Sequence, residues 1–61
     1  MDLGDILANL DEIADDIDII GDKVTEILGQ LDKEAYPISA TKLNAALRFL
    51  REAEDSVRFV L

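Results

Sequence analysis

The chain contains no cysteine and no histidine. The first absence removes disulfides and thiolate chemistry. Together they remove nearly every zinc arrangement and the Glu-x-x-His ligand pairs of carboxylate-bridged di-metal bundles. Without a histidine base, Ser39, Thr41 and Ser56 have no conventional partner for nucleophilic catalysis. Positive charge is also scarce, with six Lys and Arg against fourteen Asp and Glu and a net charge of −8. A nucleic-acid backbone or an anionic membrane needs cations to meet its phosphates, so neither is the expected direct partner, and a basic protein surface is the better match. No apolar run approaches the 18 or so uncharged residues of a membrane span, and the first residues lack a basic start followed by an apolar stretch. A cytoplasmic protein without signal peptide is the expectation.

At 61 residues the chain is read as a single domain over positions 1–61. Domains of this size bury only about 60% of their unfolded surface, and ordering them costs roughly 1.5 kcal/mol per residue. A two-helix core has difficulty offsetting that cost alone. With disulfides and metals excluded, oligomerisation is the remaining route to extra burial.

What the chain does have is an apolar repeat. Leu3, Ile6, Leu10, Ile13, Ile17, Ile20, Val24, Ile27 and Leu31 alternate spacings of three and four residues, the pattern of a long helix with a coiled-coil-like seam. Leu3, Leu10, Ile17, Val24 and Leu31 take the a positions, and Ile6, Ile13, Ile20 and Ile27 the d positions. Isoleucine at every d disfavours a parallel dimer and leans toward three- or four-helix packing. Leu7, Ala14, Gly21 and Leu28 occupy the e positions, widening the stripe to one that suits a bundle. Gly21 weakens the helix by up to about 1 kcal/mol relative to Ala, and on this flank would let a neighbouring helix approach closely. Asp2 is a candidate N-cap.

The one proline, Pro37, disfavours the α region at Tyr36 and cannot continue a helix, so the first helix is expected to end near Glu34. Ser39 then reads as the next N-cap, with Ile38 and Leu43 spaced as a hydrophobic staple. A second helix follows, with Leu43, Ala46, Leu47, Leu50, Ala53, Val57, Val60 and Leu61 on one face. The expected fold is all-α: an antiparallel two-helix hairpin, about 3–34 and 40–60, associating into a four-helix bundle or similar helical oligomer. Core layers are expected to match Leu43 with Leu31, Leu47 with Ile27, Leu50 with Val24, Ala53 with Ile20 and Val57 with Ile17.

The helices differ in length, roughly 48 Å against roughly 33 Å at 1.5 Å per residue. The first turns of the longer one therefore project past the shorter, leaving Leu3, Ile6, Leu7 and Leu10 without an intramolecular partner. This overhang, with Ile13 and Ile17, forms the expected oligomerisation surface of a homo-oligomer, most simply a dimer.

The charge is split between the helices. Residues 1–34 carry eleven acids against Lys23 and Lys33, and residues 35–61 carry three acids against four bases. Along the outer face of the first helix run Asp11, Asp15, Asp18 and Asp22, with Glu12, Asp16 and Glu26 beside them and Ile19 projecting from their midst. Like-charge neighbours three or four apart cost about 0.2–0.5 kcal/mol each. Asp11, Asp15, Asp18, Ile19 and Asp22 are the candidate partner-binding residues, set against the plainer reading of a solvated acidic face. The run Asp16–Asp22 has the look of a calcium loop's start, but Ile20 and Ile27 replace two essential oxygen ligands. On the second helix, Arg48/Glu52, Arg51/Asp55 and Glu54/Arg58 are spaced for local ion pairs, or the arginines could meet the acidic stripe of another subunit. Carboxylates on a solvated helix lack the cleft and raised pKa of acid–base catalysts. No catalytic residue, cofactor or metal is expected. The functional expectation is a small acidic oligomerising helical protein acting through protein–protein interaction as an adaptor or regulator. The alternatives are a nucleic-acid-mimicking inhibitor of a basic DNA- or RNA-binding protein and a structural subunit of a helical assembly.

Overall fold

Asp2 starts the first helix by a reciprocal cap. In the computed structural model, which describes residues 1–60, its carboxylate accepts from the Asp5 backbone N–H at 2.9 Å, and the Asp5 carboxylate accepts from the Asp2 N–H at 3.5 Å. Two of the donors a helix start leaves unsatisfied are thereby met, and both charges sit at the positive end of the helix dipole. Helix α1 then runs Leu3–Gln30, and helix α2 runs Pro37–Arg58 antiparallel to it. The molecule is a rod, 50 × 15 × 13 Å. Leu61, which its spacing assigns to the apolar face, lies outside the described residues.

The turn departs from its expected form in two ways. Helix α1 ends at Gln30 rather than near Glu34, with Leu31 extended at φ −74° and ψ 132°. Asp32 explains the early stop. Its carboxylate accepts from the backbone N–H groups of Glu34 (3.1 Å) and Ala35 (3.2 Å), and its carbonyl accepts from the Tyr36 N–H at 2.9 Å. An aspartate that can close its own turn competes with helix continuation. Helix α2 in turn begins before Ser39: Tyr36 is the cap residue, at φ −129° and ψ 60°, and Pro37 opens the first turn. Proline restricts the residue before it and is pre-set for the first helical position. Ser39 is therefore inside the helix and caps nothing, and Ile38 is exposed instead of stapled.

The helices meet on the e flank, where Gly21 is expected to allow a close approach, rather than squarely on the a/d seam. The buried residues of α1 are Ala14, Gly21 and Leu28, all e positions, and Ala40 is the buried residue of α2. The a residues Leu10, Ile17, Val24 and Leu31 are half-buried. The d residues are not covered, with Ile6, Ile13, Ile20 and Ile27 exposed at 41%, 47%, 48% and 51%. Ile20 and Ile27 thus do not form the closed layers with Ala53 and Leu47 that the heptad suggests. Small residues at 14 and 21 let α2 approach on the e flank, and ion pairs beyond that flank hold it there.

Candidate interaction faces

At 100° per residue, the d row of α1 lies on one side of the hairpin plane, and Asp18, Asp22 and Asp15 lie on the other. The same geometry puts Leu43, Ala46, Leu50, Ala53 and Val57 of α2 on the side of the d row. Of these Ala53 is exposed and the rest half-buried. One face of the hairpin is therefore apolar along most of its length. Its N-terminal continuation is the overhang, where Leu3, Ile6 and Leu7 are exposed and Leu10 is half-buried.

The opposite edge is closed by charge. Arg51 donates from Nη1 to Asp18 Oδ1 (2.6 Å) and Glu54 Oε1 (3.4 Å), and from Nη2 to Asp22 Oδ1 (3.2 Å). Arg58 donates from Nη2 to Asp15 Oδ1 (3.0 Å) and from Nε to Glu54 Oε2 (3.1 Å). Glu54, nearly covered, joins the two arginines into a continuous ladder. The hydrogen bond to Asp22 is the main cause that raises the Arg51 guanidinium above its ordinary pKa, and the bond to Asp15 does the same for Arg58. Of the three local pairs the spacing allows on α2, Glu54/Arg58 forms, while Arg51 reaches across to α1 instead of to Asp55. Arg48 packs over the Phe49 ring at 5.5 Å.

The candidate partner-binding residues are thus divided. Asp15, Asp18 and Asp22 are engaged by arginines of their own chain. Asp11 and Ile19 remain on the exposed outer surface, with Glu12 and Glu26. Spacing along one helix could not reveal this neutralisation, but the segregation of acids to α1 and arginines to α2 is its signal in the sequence. Among the described residues no cluster of acidic side chains converges to hold a metal, and no helix is long and apolar enough to cross a membrane. No protein-family model, curated protein or solved structure matches the chain.

Proposed function

We propose that this chain is a small acidic helical protein that self-associates and works by protein–protein contact, as an adaptor or regulator. The observation that supports the reading is the row of half-exposed isoleucines along α1, continuous with the uncovered flank of α2. Each such side chain is worth roughly 1.5–3 kcal/mol when fully buried, and a partner that covers the row recovers the remaining part of it. Two hairpins facing each other form a four-helix bundle, with Leu3, Ile6, Leu7, Leu10, Ile13 and Ile17 in its interface. The outer acidic surface, with Ile19 projecting from it, then faces away from the bundle and is available to a basic protein surface.

Light scattering over a wide range of concentrations tests the self-association. The wild type is expected to reach a dimer mass, and Ile6→Asp and Ile13→Asp to stay monomeric while remaining helical by circular dichroism. A wild type that keeps monomer mass at the highest attainable concentration overturns the proposal.

A further inference from the structure

We infer that the apolar face is covered by a second copy of the chain in one arrangement: α1 lies antiparallel on α1 about a two-fold axis passing beside Ile20 and Ala53. The inference rests on the self-association proposed above. The self-complementary charges Asp16 and Lys23 beside the d row support a second copy as the occupant, and the exposed area is large enough for one. The chain exposes 4665 Å², where a compact monomer of 6.7 kDa exposes about 3,900 Å². The surplus matches the roughly 800 Å² that each partner contributes to a stable protein–protein interface.

Two-fold packing of the open faces permits two solutions. In one the axis runs along the helices, setting each α1 over the other copy's α2. Both overhangs then lie at the same end, on diagonal helices, and stay wet. In the other the axis is perpendicular to the helices, and each α1 lies antiparallel on its copy. This solution covers the overhangs.

Charge selects the register. Lys23 is the one cation within α1, and it sits one heptad from Asp16 on the outer rim of the d row. Both are exposed, and neither pairs within the described chain. With the axis at Ile20, Ile20 meets its own symmetry mate, Ile13 meets Ile27 of the second copy, and each Asp16 faces a Lys23 of the other. Sliding by one heptad, to pair Ile6 with Ile27, brings the two Asp16 side chains together instead.

Two further features agree with this register. Arg51 sits over Gly21, which fixes the level of α2 along α1 and sets Ala53 beside Ile20. The helix that crosses the axis there presents an exposed alanine, small enough for two α2 helices to approach. At the far end, the exposed Leu3 and Ile6 of one copy reach the turn of the other, where Tyr36 and Ile38 are exposed.

The absence of native cysteine makes the test direct. Single variants Ile20→Cys and Ile19→Cys are oxidised under native conditions at a concentration where light scattering gives dimer mass. The expected result is covalent dimer at least tenfold faster for Ile20→Cys, since position 19 points away from the interface. Dimer mass without that difference overturns the arrangement but leaves the proposed self-association standing, whereas monomer mass of the wild-type chain at the highest attainable concentration overturns both. The rim contact is tested separately. Lys23→Asp and Asp16→Lys are each expected to weaken self-association by roughly tenfold, with two symmetric contacts reversed. The double variant is expected to restore it. Failure of that restoration overturns the register.

Discussion

The guanidinium of Arg51 occupies the space where a side chain at position 21 would begin: a Cβ on Gly21 would lie 3.0 Å from Nη1 and 3.1 Å from Cζ. Glycine is otherwise a poor choice in the middle of a helix, and Ala is favoured there by about 1 kcal/mol. Gly21→Ala alone is therefore expected to gain less than that, because the guanidinium must shift and its bonds to Asp18 and Asp22 lengthen. In an Arg51→Ala background the full helical gain should appear. A double-mutant cycle by urea denaturation reads the coupling, and equal effects of Gly21→Ala in both backgrounds would show that the two residues are independent.

The turn gives a second contrast. Asp32→Ala removes the acceptor for two backbone N–H groups and is expected to cost about 1 kcal/mol, as is loss of the Asp2 cap in Asp2→Ala. Ser39→Ala, inside the first turns of α2 and capping nothing, should change stability by no more than about 0.5 kcal/mol. Thermal unfolding of the three variants side by side decides between Tyr36 and Ser39 as the start of α2. A large loss at Ser39 would restore the later start.

The pH dependence of the ladder follows from the direction of the arginine shifts. A base whose pKa is raised on folding contributes stability that is fully present below its unfolded pKa and is lost only as pH climbs through the folded value. For Arg51, held up chiefly by Asp22, that window lies beyond the ordinary guanidinium range. The difference in melting temperature between wild type and Arg51→Gln should thus stay constant from pH 7 to pH 10. A difference that shrinks across that span would place the stabilisation on some other titrating group.

Net charge opposes association. Each copy brings −8, and this long-range repulsion is screened within roughly 3 Å at 1 M salt against 30 Å at 0.01 M. The proposed self-association is therefore expected to strengthen as sodium chloride is raised from about 0.02 M to 0.5 M, measured by sedimentation equilibrium. Weakening with salt would mean that ion pairs between copies outweigh the general repulsion.

Periodicity made the hairpin legible: unbroken spacing from Leu3 to Leu31, a proline at 37 and a second amphipathic run leave few other folds. Which edge of the wide stripe α2 would choose was not legible in that spacing. The heptad points to a and d, yet the packing goes to a and e, because Ala14 and Gly21 allow close approach and Arg51 and Arg58 bond to acids beyond them. That choice depends on pairing across helices, which single-helix periodicity does not encode. The early stop at Gln30 was missed for a similar reason. In the sequence Asp32 is one acid among many, while in the structure its short side chain acts as a local acceptor. The acidic stripe was visible as composition, but its partial neutralisation became apparent only once the helices were placed side by side.

The interior of one hairpin is built from closeness rather than bulk. Its buried positions are Ala14, Gly21, Leu28 and Ala40, so three of the four have almost nothing to trim. Ala14→Leu, at a fully enclosed site, should cost about 1–3 kcal/mol by forcing the helices apart. That loss should be the same in dilute and concentrated solution. If copies associate as proposed, trimming a large side chain such as Ile13 or Ile20 should instead do harm that grows with protein concentration. A mutational scan run at two concentrations would thus sort the chain into residues that hold one molecule together and residues that hold molecules to each other.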